Sequence, residues 1–212
     1  MRENVAVPFI EGVSGRVHYR TWSAESPRAV VVFLHGYRQS SSDYHRFGRA
    51  LNRSGIEAWA IDHVGHGLSE GDPATAPAVD DLGENAQRLV GLAAVSGHSI
   101  FVMGHSLGAA TALAAQNAPA ATPVDGLILC GTPKRVSEAA VTAPDVPILA
   151  VHGVDDRLAP IDAVREWVGL NPHVELREYV DAGHDLLHEP IAPTVTADVV
   201  QWILDHAENA AR

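Results

Sequence analysis

The chain sets 26 Asp and Glu against 15 Lys and Arg in 212 residues, giving a formal charge of −11 and a pI near 5.4. That balance argues against a nucleic-acid partner, because a phosphate backbone is held by clustered Lys and Arg. Hydrophobic residues at 46% and charged residues at 19% fit an ordinary globular protein, neither disordered nor fibrous, with one sizeable core and a single domain over 1–212.

The opening MRENVAVPFIEG lacks a basic segment followed by a long apolar run, so it does not read as a secretory signal. Its apolar residues predict a first strand over 5–11. Strands over 15–22 and 28–34 follow with only turns between, which suggests an antiparallel meander entering the sheet. From residue 42 onward helices intervene. The pattern predicts helix 42–54, strand 56–61, helix 80–96, strand 99–104, helix 107–118, strand 124–131, strand 146–152, helix 161–169, strand 174–180 and helix 190–209. In the last helix Val195, Val199, Trp202 and Ile203 recur at helical spacing. Eight strands alternating with helices predict an α/β fold, a mainly parallel sheet covered on both faces. Runs such as Ala29–Leu34 are far too short to cross a bilayer, which takes about 20 residues, so no stable membrane insertion is expected. The lone Cys130 excludes an internal disulfide and fits a reducing cytoplasm. It ends an apolar run and reads as a buried structural thiol.

In open α/β sheets ligands bind outside the carboxyl ends of the strands. Four strand exits stand out: His35-Gly36, Gly65–Ser69, Gly104–Gly108 and His152–Pro160. The third contains GHSLG, a G-x-S-x-G pentapeptide. Such a pentapeptide arises by chance in roughly one chain of this length in fifteen, given ordinary Gly and Ser frequencies. Its position raises its weight, because SIFVM reads as a strand and LGAATALAAQ as a helix. Ser106 therefore falls on a strand-to-helix turn, the setting of a nucleophile elbow. Side chains at Gly104 and Gly108 would obstruct the turn and the approach of helix to strand.

A serine hydroxyl needs a base, and the base needs a third group to fix its tautomer. His184, in DAGHD after the last strand, is the candidate base. The acid lies in HGVDDRLAP, where Asp155 and Asp156 stand side by side. Adjacent loop residues point apart, so one of them reaches His184; Asp156 is taken as the acid and Asp155 as a turn residue. An oxyanion hole is expected from the Leu107 N–H, directly after the nucleophile, and the Tyr37 N–H in the loop after the third strand. Gly36, Tyr37, His105 and His188 are candidate substrate-binding residues. Neither a cofactor nor a metal is needed for this chemistry.

Together these motifs resemble the monoacylglycerol lipase and lysophospholipase branch of the α/β-hydrolases, which is sometimes grouped with serine aminopeptidases. His35-Gly36, DHVGHGLSEG at 62–71, GHSLG and HGVDDRLAP match successive motifs of that branch. The resemblance implies the α/β-hydrolase fold and ester hydrolysis, and it carries the catalytic acid onto Asp156 and the base onto His184. It also accounts for His63 and His66 as parts of a glycine-rich turn without a metal. Lipases of the branch commonly carry a helical cap after the sixth strand, whereas only about 14 residues, Thr132 to Asp145, join the corresponding strands here. The oxyanion loop HGYRQSSSDY also lacks the glycine-glutamate-histidine often found after HG. A lidless, shallow site walled by 37–43, 66–79, 132–145 and 185–190 is the expectation, with short or medium acyl esters favoured. A thioesterase acting on coenzyme A or carrier conjugates is the nearest alternative, with Arg38, Lys134, Arg135 and Arg157 near the rim to meet phosphate. A slow-turnover binding homologue is the other, and an aminopeptidase fits less well because cap residues are absent.

Overall fold

A computed structural model describes residues 8–75, 77–138 and 141–210. Residues 5–7 of the first predicted strand lie outside the described residues. The chain forms an eight-stranded sheet from β1 (Phe9–Gly12), β2 (Gly15–Trp22), β3 (Ala29–Leu34), β4 (Ile56–Ile61), β5 (Ile100–His105), β6 (Gly126–Cys130), β7 (Ile148–Gly153) and β8 (Val174–Tyr179). A 3₁₀ turn at Ser41–Tyr44 leads into helix α1 (His45–Arg53). The other helices are α2 (Val79–Ala94), α3 (Leu107–Asn117), α4 (Lys134–Glu138), α5 (Ile161–Leu170) and α6 (Ala192–Ala210).

Strand order is β1-β2-β4-β3-β5-β6-β7-β8, antiparallel at β1-β2 and β2-β4 and parallel from β4 to β8. The expected meander of the first three strands is corrected here. The β2 strand pairs with β4, and β3 sits inside, parallel to both β4 and β5. The reason is burial. All six residues of β3 are buried, and an apolar run buried on both faces belongs in the middle of a sheet, whereas β2 has exposed positions that suit a place nearer the edge.

Successive β3 side chains point to opposite faces, so Val30, Val32 and Leu34 belong to the core that also takes in Leu89 and Val90 of α2, Leu113 of α3 and, farther along the sheet, Trp167 of α5. Val31 and Phe33 instead join Phe47 and Leu51 of α1 and the stripe Val195, Val199, Trp202 and Ile203 of α6. That stripe matches the spacing in the sequence. Small residues allow close approach between α2 and α3, where a Cβ on Gly83 would lie 3.1 Å from the Ala115 nitrogen. Cys130 is buried, and burial pushes its thiol pKa up.

The order β4-β3-β5 creates the functional crevice. After β3 the chain passes through α1 to β4 on one side, while β5 lies on the other side of β3 and leads into α3. Where connections part in this way, the carboxyl ends of the strands open a cleft between diverging loops. Among the described residues no helix is long and apolar enough to cross a membrane.

Candidate active site

Only Ser106 separates β5 from α3, and it carries the turn at φ 52°, ψ −113°. A non-glycine residue held there stores about 1–3 kcal/mol of strain. The surroundings hold it in place. The Ser106 N–H donates to the Cys130 carbonyl at 2.8 Å, and its own carbonyl accepts from Ala109 at 2.9 Å. A Cβ on Gly104 would lie 2.1 Å from the Gly108 carbonyl oxygen, and one on Gly108 would lie 1.9 Å from that of Leu34. Both glycines are required by the helix packing onto the strand ends.

The predicted partners converge on this turn. His184, beyond β8, brings Nε2 to 2.9 Å from Ser106 Oγ, and its Nδ1 lies 2.6 Å from Asp156 Oδ2. Asp156 follows β7 and is buried. Its Oδ1 accepts from the N–H groups of Leu158 and Ala159, each at 2.8 Å, while His152 Nε2 stands 3.2 Å from Oδ2. Burial works to raise the Asp156 pKa, but hydrogen bonds from His152, His184 and Ala159 outweigh it and hold the carboxyl well below its usual range. The group facing His184 is therefore an anion. Asp155 is exposed and its N–H donates to the Ala182 carbonyl at 2.9 Å, so its backbone ties two loops together.

Leu107 opens α3, where first-turn N–H groups have no intrahelical acceptor. Tyr37 sits in the loop after β3 and is exposed. Among the described residues neither backbone N–H finds an acceptor. The Tyr37 loop is fixed from below by histidines. His35 Nδ1–H donates to the Gly36 carbonyl at 2.7 Å, its Nε2 accepts from the His63 N–H at 3.0 Å, and His66 Nε2 accepts from the Arg38 N–H at 3.2 Å. Burial pushes His35 down to about 4 and His63 well below 6.5, so both rings are neutral near pH 7. Their nitrogens serve backbone groups, and among the described residues no cluster of three or more His, Cys, Asp or Glu is arranged to hold a metal.

Two expected substrate contacts are corrected or narrowed. His105, last residue of β5, is buried, with Nε2 donating to the His184 carbonyl at 3.0 Å and Nδ1 3.1 Å from the Tyr44 hydroxyl. Its burial, which pushes its pKa down to about 4, makes it a brace for the His184 loop with no face toward a substrate. His188 is partly exposed, but Nδ1 bonds Asp185 at 2.8 Å and Nε2 bonds the Asp43 carbonyl at 2.9 Å. With an acceptor on each nitrogen, the ring has its pKa raised, chiefly by the hydrogen bond to Asp185. Gly36 is needed for space, since a Cβ there would lie 2.6 Å from Gln39 Oε1 and 2.9 Å from His105 Nδ1.

The sequence did not single out Gln39, Tyr44 or Glu189. Gln39 Oε1 accepts from the Gly36 N–H at 2.9 Å and from the Tyr44 hydroxyl at 2.6 Å. Glu189 accepts from the Gly183 and Asp185 N–H groups at 2.7 and 3.0 Å, gripping the His184 loop on both sides. Only His152 had a readable signal, a second His-Gly at a strand exit. The connection from β6 to β7 covers 131–147, and its described part holds only the short α4. Cavities of about 490 and 1390 Å³ lie beside the site, the first against Arg38 and His66 and the second between α1 and α6. Neither is lined by Ser106 or His184, and both of those residues are partly exposed at the surface.

Sheet order, strand-to-helix elbow and loop-borne His and Asp define the α/β-hydrolase fold. A family model described as serine aminopeptidase, S33, matches residues 25–144, more than half of the chain. The chain belongs to that family. A monoacylglycerol lipase of Mycolicibacterium smegmatis is 26% identical over 267 residues, taking in 92% of this chain and 95% of the relative. Because that span exceeds the whole length of this chain, the relative has stretches with no counterpart here. Human monoglyceride lipase is 28% identical over 113 residues, half of this chain and 37% of its own. Among solved structures, a soluble variant of Saccharomyces cerevisiae monoglyceride lipase with a substrate analogue superposes with TM-score 0.79 at 15% identity, covering 95% of each chain. The Paleococcus ferrophilus monoacylglycerol lipase gives 0.74 at 17% identity over 90% of this chain and 99% of that one.

Proposed function

We propose that the protein is a serine carboxylesterase that cleaves short to medium acyl esters through an acyl-enzyme on Ser106. The observation that carries this reading is the unbroken line of hydrogen bonds from Ser106 Oγ to His184 to Asp156 at 2.9 and 2.6 Å, on a strained elbow. Ester hydrolysis is also the activity named for the lipase relatives.

In this mechanism His184 Nε2 takes the Ser106 proton as Oγ attacks the ester carbonyl carbon. Asp156, anionic and fixed by the N–H groups of Leu158 and Ala159 and by His184 Nδ1, stabilises the imidazolium that results. The carbonyl oxygen becomes an oxyanion held by the Tyr37 and Leu107 N–H groups, whose preorganised dipoles form the largest electrostatic contribution in such sites. Collapse expels the alcohol, which receives its proton from His184, and leaves the acyl group on Oγ. Water then attacks the acyl-enzyme with His184 again as base, releasing the acid and restoring the serine.

The short β6–β7 connection supports a lidless, open site. Each methylene enclosed by protein is worth about 0.8 kcal/mol, and an open surface encloses few of them, so long chains gain little there. Turnover of p-nitrophenyl esters from acetate to palmitate tests this reading. Specificity should peak at short or medium acyl length and vanish in Ser106→Ala. A monotonic rise to palmitate would contradict the open site, and a marked preference for matched thioesters would make the protein a thioesterase.

A further inference from the structure

The groove between α1 and α6 lies outside the proposed chemistry and has an unusual charge pattern. Arg46, Arg49 and Arg53 line it, together with Ala50, at spacings that put them on one face of α1. All three are exposed, and none has an ion pair or hydrogen bond among the described residues. Arg16, Arg28, Arg88, Arg165 and Arg177 each have a carboxylate partner; among the described residues Arg20, Arg38, Arg135 and Arg157 do not, but they lie on different elements or loops, whereas Arg46, Arg49 and Arg53 share one helix face. His45 also lines the groove, but burial first and then the charges of Arg20 and Arg49 lower its pKa, so the positive charge of this wall comes from the arginines. The floor and opposite wall are largely apolar or uncharged: Phe47, Leu187, Pro190, Pro193, Ala197 and Val200. The acids at the far end are already engaged, Asp43 by the Ser40 N–H and Glu189 by Gly183 and Asp185.

We propose that this groove docks an acidic amphipathic helix of a partner protein, its carboxylates on Arg46, Arg49 and Arg53 and its apolar face on Pro193, Ala197 and Val200, which are exposed or partly so. Size and charge together select this occupant. The cavity of about 1390 Å³ exceeds the range of about 300–1,000 Å³ usual for small ligands. It compares with a ten-residue helix, a cylinder roughly 10 Å across and 15 Å long, or about 1,200 Å³. A trough between two helices suits a rod better than a planar anionic membrane, which would also meet the negative remainder of the surface. Carboxylates one turn apart on a docked helix would match the arginine spacing, the apolar face entering the groove as in other helix-in-groove complexes.

The test uses the full chain and a fluorescein-labelled four-turn helical peptide with Glu at one-turn intervals beside a Leu face, and a second peptide with Lys in place of Glu. Fluorescence anisotropy should show salt-sensitive binding of the Glu peptide to the wild type, weakened tenfold or more in Arg46→Glu/Arg49→Glu/Arg53→Glu. The Lys peptide should bind that variant and not the wild type. Ala197→Trp, which fills the groove and leaves the arginines, should also abolish binding. Hydrolysis of p-nitrophenyl butyrate and the thermal midpoint should stay near wild type in both variants, showing that they fold. The proposal is overturned if the wild type does not bind at millimolar peptide, or if Ala197→Trp binds as well as wild type, which would mean charge attraction without the groove. It is overturned equally if phosphatidylglycerol vesicles bind through the arginines while the peptide does not.

Discussion

Two His–carboxylate pairs in this protein have nearly the same geometry and very different surroundings. His184 Nδ1 lies 2.6 Å from Asp156 Oδ2, and His18 Nδ1 lies 2.7 Å from Asp62 Oδ2. Each carboxylate also accepts two backbone N–H groups, from Leu158 and Ala159 in one case and from Ser41 and Leu68 in the other. In both, burial works to raise the carboxyl pKa and hydrogen bonds outweigh it, so both are held low. The difference is at the other end of the ring. His184 is partly exposed and aims Nε2 at a serine, while His18 is buried edge-on to Phe9. The comparison teaches that a His–Asp pair is a structural unit, and that proposed catalysis depends on what its far nitrogen meets. Asp62 ties β2, the turn before α1 and the glycine-rich turn after β4 into one hub.

Substitutions can break or sharpen that contrast. Ser106→Ala should lower kcat for p-nitrophenyl butyrate by about 10⁴-fold or more, with the thermal midpoint little changed. Asp156→Asn should lower kcat by about 10³ to 10⁴-fold, because the wrong imidazole tautomer then faces the serine. Asp62→Asn removes an equally well-bonded carboxylate, yet its effect should fall on stability. Loss of about 3 kcal/mol should lower the midpoint by roughly 10 °C, while kcat of the folded protein stays within a few-fold of wild type. A kcat loss for Asp62→Asn matching that of Asp156→Asn would erase the proposed distinction.

A further effect, on stability alone, is its pH dependence. His35 and His105 have folded pKa values of about 4 against 6.5 for the free side chain, and His63 shifts the same way. Below pH 6.5 the unfolded chain binds protons that the folded chain does not, so stability falls with pH. These histidines therefore contribute fully above about 6.5, and their contribution is lost as pH drops toward 4. Urea midpoints between pH 8 and 4 should decline through that window, and His105→Gln should flatten the decline.

Much of this fold can be read in short stretches of sequence. The bounds of β2 and β4 and the stripe of α6 follow from periodicity that burial reproduces. The elbow is legible because one residue lies between an apolar strand and an alanine-rich helix. What was misread depends on tertiary pairing. The place of β3 between β4 and β5 is a choice of neighbour, signalled only by an apolar run too continuous for the edge. The α4 helix, in KRVSE, is too short and polar to show a period. The His105 side chain turns inward to meet Tyr44 and the His184 carbonyl, 61 and 79 residues away, and no local pattern encodes that direction. Gln39 and Glu189 were missed for the same reason. Their roles exist only once distant loops meet.

The most direct test of the central claim is the rate and site of covalent labelling by a fluorophosphonate, followed by intact mass and peptide mapping. The account predicts a single adduct on Ser106, absent in Ser106→Ala, slowed by orders of magnitude in Asp156→Asn and formed at near wild-type rate in folded Asp62→Asn. An unlabelled wild type, or an adduct that persists in Ser106→Ala, would contradict it.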